Sequence, residues 1–163
     1  MLTTNIRLRE WREDDAPAVL AAFQDSDLSR QAPWPVVTLQ DALGWIASWD
    51  GVGHAFAVTL GGRVVGNVAV ARVDAHANGW VSYWTVREAR GRGVAPAAVE
   101  EVARWAFQER GLFRLELGHR VDNPASCRVA TKAGFLAEGI ERGKLVYDGV
   151  RYDVERHVRL ATD

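Results

Sequence analysis

Val86-Arg87-Glu88-Ala89-Arg90-Gly91-Arg92-Gly93-Val94-Ala95-Pro96 joins a strand-like run to a long amphipathic segment through a basic, glycine-containing turn. Gly91 and Gly93 let the backbone approach a ligand with no Cβ in the way. The first N–H groups of the following helix have no partner inside it, and the helix dipole puts positive charge at that end. The turn therefore favours an anion such as phosphate. Pro96 fits the first helical turn, where no N–H is required. Two other phosphate loops are excluded by spacing. A dinucleotide fingerprint wants a third small residue where Pro96 stands, and a P-loop wants a Gly-Lys-Ser/Thr ending that is absent.

Working outward, a second block stands at Asn123-Pro124-Ala125-Ser126-Cys127-Arg128-Val129-Ala130-Thr131-Lys132-Ala133-Gly134-Phe135. Asn123 can cap the helix that follows it, and at a strand end its amide can meet an amide-rich ligand. Ser126 sits one turn into that helix, with its hydroxyl able to point to the same mouth. Gly134 reads as the left-handed residue that ends the helix, and Phe135 opens the next strand.

Arg90-x-x-Gly93-x-Ala95 resembles the acetyl-CoA pyrophosphate loop of the GNAT superfamily of N-acetyltransferases. The Asn-x-x-Ser…Lys-x-Gly-Phe pattern from Asn123 to Phe135 is similar to the same superfamily's branch of ribosomal-protein N-terminal acetyltransferases (RimJ/RimL-like). The resemblance implies a mixed α/β fold, with a mostly antiparallel sheet of about seven strands flanked by about four helices. In that fold the strand before the phosphate loop splays from the strand after the crossover helix, and the thioester arm of the cofactor lies in the gap. It also implies acetyl-CoA as cofactor, an amine as acceptor and CoA as product.

The periodicity along the chain agrees with that order. A first strand is expected near Ile6–Trp11, and Glu13-Asp14-Asp15 then offers acidic residues to a helix running to about Phe23. Ala32-Pro33-Trp34-Pro35 forces an extended loop. Thr38 can cap a helix carrying Leu39, Ala42, Leu43, Ile46 and Trp49 at helical spacing. Ala55–Leu60, Arg63–Val73 and Trp80–Val86 read as strands, with Gly61-Gly62 as a hairpin turn. A helix from about Val94 to Arg110 puts Val99, Val102, Ala103 and Ala106 on its buried side, and Gly111 stops it before a strand at Leu112–Val121. Phe135–Lys144 and Arg151–Leu160 form a last hairpin around Tyr147-Asp148-Gly149.

Composition bounds the alternatives. With 163 residues and 48% hydrophobic content, the chain is long enough for one well-packed domain and short for two. A net charge of −1 with acids and bases interspersed argues against nucleic acid or a membrane surface as partner. Met1–Arg7 has no apolar signal core, no segment approaches ~20 apolar residues, and one cysteine excludes an internal disulfide framework. The cytoplasm is the expected compartment. No metal ligands are assigned, and Cys127 reads as a buried neighbour because no activating base pattern surrounds it. A homodimer is compatible with the aromatic-rich final hairpin.

The implied chemistry is attack of a neutral amine on the acetyl thioester, giving an oxyanion and then a departing thiolate. A free backbone N–H near Thr85 or Val86 is the expected oxyanion donor. Phosphate falls to the backbone of Arg90, Gly91, Arg92, Gly93, Val94 and Ala95, with the charges of Arg90 and Arg92 assisting, and Asn123 and Ser126 complete the cofactor set. Many relatives carry a proton-donating tyrosine in the last helix, but Asn123–Gly134 has none. Ser126 then either donates a hydrogen bond or orders a water at the sulfur, or it is an ordinary first-turn serine. The candidate bases are His119, Glu116, His54, His76 and Glu138, with a water chain as the other route. The chain has seven tryptophans, most of them explained by core packing. Trp34, in the proline-rich loop, and Tyr83, just before the cofactor loop, are expected to touch the acceptor, an N-terminal protein amine or a small amine. Scattered acids between Asp25 and Trp49 form no cluster, which disfavours a polycationic acceptor. A non-catalytic acyl-CoA sensor and a longer-chain acyltransferase stand as alternatives.

Overall fold

Alternating and helical apolar patterns resolve into eleven elements in the computed structural model, which describes residues 4–163. They run β1 (Ile6–Glu10), α1 (Ala16–Phe23), α2 (Leu39–Ala47), β2 (Gly53–Leu60), β3 (Arg63–Ala71), β4 (Asn78–Thr85), α3 (Val94–Gln108), β5 (Arg114–Arg120), α4 (Pro124–Lys132), β6 (Leu136–Tyr147) and β7 (Val150–Leu160). Met1–Thr3, part of the stretch without an apolar signal core, lie outside the described residues. No helix among the described residues is long and apolar enough to cross a membrane.

The strands form one sheet in the order β1-β2-β3-β4-β5-β7-β6. Every neighbouring pair is antiparallel except β4 and β5, which are parallel because α3 carries the chain back across the sheet between them. The last hairpin closes on Asp148 and Gly149, both left-handed (φ 52° and 77°), the backbone that matches strand twist in a two-residue turn. So tight a turn lets β6 run on to Tyr147, beyond the expected end at Lys144.

Two cores lie on opposite faces. On one, α3 buries Val99, Val102, Ala103 and Ala106 completely, together with Leu115, Leu117 and Val81 of the sheet. Each fully buried valine there contributes about 1.5 kcal/mol or more of apolar transfer. On the other face α1 and α2 cover Trp84, and Trp11, Phe23 and Trp45 close around it with ring centroids 5.4–6.1 Å from the Trp84 ring. The Trp11 indole donates to the buried Asn67 side chain at 2.9 Å, so the aromatic cluster has a polar anchor. Thr38 caps α2 as expected: its hydroxyl accepts from the Asp41 amide at 3.1 Å while the Asp41 carboxylate accepts from the Thr38 amide at 3.0 Å.

The acidic run before α1 behaves differently from a simple helix start. Glu13–Asp15 make a tight helical turn, and Asp15 is drawn back to β1. Arg9 donates to its two oxygens at 2.7 and 2.9 Å, and the Arg12 amide donates at 2.9 Å. These hydrogen bonds, those from Arg9 above all, hold the Asp15 carboxyl below its ordinary 3.8. A depressed carboxylate stabilises fully above the unfolded value and loses that contribution as pH falls through the folded one. Asp15→Ala should cost about 2 kcal/mol at neutral pH, measured by urea unfolding. The gap from wild type should narrow below about pH 4; a constant gap would show that folding does not shift this carboxyl.

Candidate active site

β4 and β5 pair over three positions only, Asn78–Trp80 against Arg114–Glu116. β4 then continues to Thr85 and β5 to Arg120 with no ladder joining them among the described residues. The other edge of β4 remains paired to β3 up to Thr85 opposite Gly66, and the next amide, that of Val86, donates to the Val65 carbonyl at 2.9 Å. Alternation along an antiparallel ladder turns the N–H and C=O groups of Thr85 and Tyr83 the other way, into the gap. Of the two oxyanion donors expected from the sequence, the Val86 amide is thus already bonded inside the sheet. The Thr85 amide points where a ligand would lie.

The glycine-containing turn before α3 closes one end of this gap. Ala89 is buried, while Arg90 to Gly93 are exposed, and Gly91 and Gly93 take left-handed φ values of 74° and 78°. Gly93 is the N-cap of α3, so the amides around Val94 and Ala95 sit in the helix's first turn without helical partners. A Cβ on Gly91 would meet nothing within 4 Å, whereas one on Gly93 would lie 2.9 Å from Thr4 Oγ1. The two arginines of the turn differ. Arg90 Nε donates to the Thr85 carbonyl at 3.0 Å, and its guanidinium pairs with Asp27 at 3.1 Å and Asp25 at 3.6 Å. Arg87 joins the same two acids. Its hydrogen bond holds the Asp25 carboxyl below the usual carboxylate range. Arg92 has no ion-pair partner among the described residues, leaving its charge open to a ligand.

At the other side of the gap Asn123 caps α4, its Oδ1 accepting from the Ser126 amide at 3.2 Å. The Tyr83 hydroxyl donates to Ser126 Oγ at 3.0 Å, linking β4 to α4. Burial pushes the Tyr83 phenol above its ordinary 10.0, against the smaller opposite effect of the Ser126 hydrogen bond. Sequence reasoning put Tyr83 against the acceptor; the structure turns it toward α3 and α4, while Trp84 takes the opposite face and is buried. The pairing with Ser126 was hidden because it joins residues 43 positions apart.

The candidate bases separate by position. His54 is exposed on β2 beside Trp105, with ring centroids 5.1 Å apart, and His76 lies in the exposed β3–β4 turn. Glu116 and Glu138 share Arg114, whose hydrogen bond holds the Glu138 carboxyl below its ordinary range. His119 is buried: its Nδ1 lies 2.8 Å from the Arg120 carbonyl, and its Nε2 lies 3.0 Å from Nε2 of His157. Glu155 and His157 were not singled out in the sequence. They stand every second residue on β7, but only the β5–β7 register reveals that they face His119. Trp34 is exposed at 37%, packed on Gly44 of α2 and outside both cores. Nearby, Arg30 lies 4.2 Å over the Tyr147 ring and bonds Asp148 at 3.1 Å, joining the loop after α1 to the β6–β7 turn.

The family model described as an acetyltransferase (GNAT) domain matches residues 5–136. The putative ribosomal N-acetyltransferase YdaF of Bacillus subtilis is 30% identical over 94 residues, 57% of this chain and 51% of that protein. The ribosomal-protein-serine acetyltransferase of Escherichia coli is 24% identical over 111 residues, 68% of this chain and 62% of that protein. The chain spans about half the length of the first of these relatives. Among solved structures, RimL, a ribosomal alpha-N-protein acetyltransferase in complex with coenzyme A, superposes with a TM-score of 0.87 at 19% identity, covering 97% of this chain and 95% of that one. RimJ of Mycobacterium smegmatis, in complex with a CoA-disulfide, gives 0.86 at 24%, covering 96% and 82%. Family match and shared architecture agree: this chain belongs to the GNAT acetyltransferase family.

Proposed function

We infer that the protein is an acetyl-CoA-dependent N-acetyltransferase whose acceptor is a primary amine, taken directly in a ternary complex. The observation that carries this reading is the Tyr83–Ser126 hydrogen bond across the parted strands. It supplies, from β4 and α4 together, the proton donor that α4 lacks by itself. RimL and RimJ, both solved with coenzyme A or a CoA-disulfide, provide the cofactor precedent.

The chain's own groups then divide the work. Backbone amides from Gly91 to Ala95 and the free charge of Arg92 hold the pyrophosphate. Arg90 acts through position, fixing the top of β4 by its bond to Thr85. The amine nitrogen attacks the carbonyl carbon, a C–N bond forms, and the oxygen takes up the negative charge beside the Thr85 N–H. Collapse breaks the C–S bond, the sulfur takes the proton of Ser126, and the proton that the new amide nitrogen gives up returns through water to the Ser126 oxygen. Because Tyr83 O–H already donates to Ser126 Oγ, the serine's own hydrogen is free to point at sulfur. With its phenol pushed up by burial, Tyr83 stays protonated and keeps that role at neutral pH.

The amine must arrive neutral. β4 carries no carboxylate, Glu116 and Glu138 are held by Arg114, and His119 is engaged with His157. A site without a free strong base favours an acceptor of low basicity. At pH 7 about one α-amino group in seven is neutral, against about one in 2,500 for a lysine-like amine. Asp25 and Asp27 are matched by Arg87 and Arg90, so the acceptor side offers little excess negative charge to a polyamine. Both points favour a protein or peptide N-terminus, with Trp34 as a wall of the acceptor groove.

Calorimetry with acetyl-CoA should show one site per chain, and Gly91→Asp should weaken it at least about tenfold. The added carboxylate faces open space and repels phosphate, and aspartate tolerates the left-handed backbone. Unchanged affinity would remove the phosphate turn from the site. In steady-state thiol release with a peptide amine, Ser126→Ala should lower kcat by about a hundredfold and Tyr83→Phe by about tenfold, with KM for acetyl-CoA nearly unchanged. Binding of acetyl-CoA with no thiol release across peptide and polyamine acceptors would identify a sensor. Faster release from longer acyl-CoAs would identify a different acyl donor.

A further inference from the structure

Outside the proposed chemistry of transfer, four side chains turn their donor atoms toward one point beneath the first turn of α4. They are His119 of β5, Cys127 of α4, and Glu155 and His157 of β7, with one ligand-type atom from each lying within 4.8 Å of all the others. The β5–β7 register explains the convergence. His119 stands directly opposite Glu155 and Leu117 opposite His157, so alternation puts both histidines and the carboxylate on the same face. Cys127, the residue after Ser126, closes the group from above.

We propose that this cluster is a zinc-class metal site. The protonation pattern points that way first. His119 Nδ1 lies 2.8 Å from the Arg120 carbonyl, a contact that requires Nδ1–H and leaves Nε2 as a lone pair. That lone pair faces His157 Nε2 at 3.0 Å, and His157 Nε2 also lies 2.8 Å from Glu155 Oε1. Glu155 Oε1 is 3.5 Å from His119 Nε2. With no cation, two lone-pair atoms compete for the single proton on His157 Nε2. A divalent cation gives all three a partner at once. With the ion on Nε2, the remaining proton of the His157 ring lies on Nδ1, which is buried without a protein hydrogen-bond partner in a ring 2% exposed.

Geometry and chemistry select the ion. Zinc bonds of about 2.0–2.3 Å imply tetrahedral donor-to-donor edges of about 3.3–3.8 Å. The hydrogen-bonded contacts run from 2.8 Å for His157–Glu155 to 3.8 Å for Cys127–Glu155, and every pair of donor atoms lies within 4.8 Å. Opening His157–Glu155 by about 0.5 Å and drawing the wider pairs together admits the ion, and Glu155, with a side chain 27% exposed, can move to open the short contact. Two imidazoles, a thiolate and a carboxylate form a borderline-soft set suited to zinc rather than magnesium or calcium. Cys127 binds as the thiolate, giving its proton to solvent. The ion would clip α4 to β5 and β7 and hold Ser126 against Tyr83, so Cys127 and the histidines are positioning residues.

The test uses the intact chain after treatment with chelator, with Zn2+ and then Co2+ as probes and no activity readout. Zn2+ should bind at one equivalent per chain and raise Tm. Co2+ should give the intense visible bands of a tetrahedral site together with a thiolate charge-transfer band in the near ultraviolet. Cys127→Ser, at a half-buried position, should abolish the charge-transfer band and weaken Zn2+ at least about tenfold, while His119→Gln should weaken it similarly. His54→Gln and His76→Gln, remote from the cluster, should change nothing. Sub-stoichiometric Zn2+, octahedral Co2+ bands, or binding indifferent to Cys127→Ser in a folded protein would overturn the site. Each would leave a hydrogen-bonded triad sharing one proton.

Discussion

The parting of β4 and β5 is the constraint on which the rest of the molecule depends. A parallel pair that lasts three positions leaves strand edges facing each other across a space too wide for direct hydrogen bonds. Unpartnered backbone groups are costly when dry, so such a space is stable only if water or a ligand occupies it. The Thr85 carbonyl is satisfied by Arg90. The Thr85 amide and the Tyr83 groups remain for an extended ligand that brings amides of its own, as a pantetheine arm does. An edge of this form suits strand addition, in which main-chain bonds give affinity and side chains at each end give identity.

The two ends are coupled through charge. Arg87 and Arg90 belong to the phosphate turn, yet their carboxylate partners Asp25 and Asp27 belong to the loop that follows α1. Individually, exposed pairs of this kind contribute less than about 1 kcal/mol. Their effect is geometric, because four groups sharing contacts fix one loop against the other. Any movement of the loop after α1 is then felt at Arg90 and, through it, at the top of β4. The Arg30 contacts to Tyr147 and Asp148 tie the same loop to the β6–β7 turn. The loop after α1 is therefore anchored at two places, and its Trp34 packs on Gly44 of α2.

Much of this was legible in the sequence, and the reason is local physics. The glycine turn before α3, the Thr38 cap, the buried stripe of α3 and the Asn123 cap depend on residues close together in the chain. The element order followed because each boundary carried its own glycine, proline or capping residue. What stayed hidden required pairing between distant segments. The Tyr83–Ser126 bond, the draw of Asp15 back to Arg9 and the meeting of His119 with Glu155 and His157 are set by register and twist. Alternation alone indicated that Tyr83 and Trp84 part to opposite faces. It did not indicate which of the two faces α4 would cover, nor that Tyr83 would be the residue to meet it.

An unpaired strand edge raises a question of rigidity, since a strand bonded on one side only would be expected to bend or fray. The tryptophans answer it. Trp84 is clamped on one face by Trp11, Phe23 and Trp45, while Val81 and Tyr83 are held on the other by the core under α3. Beyond Trp80, β4 is therefore held by side-chain packing above and below as well as by its ladder to β3. Aromatic groups suit that task because they remove much apolar area from water with few torsions to freeze. The high tryptophan content thus belongs to the same design as the gap: heavy packing on the faces of β4 substitutes for the hydrogen bonds that its free edge must keep available.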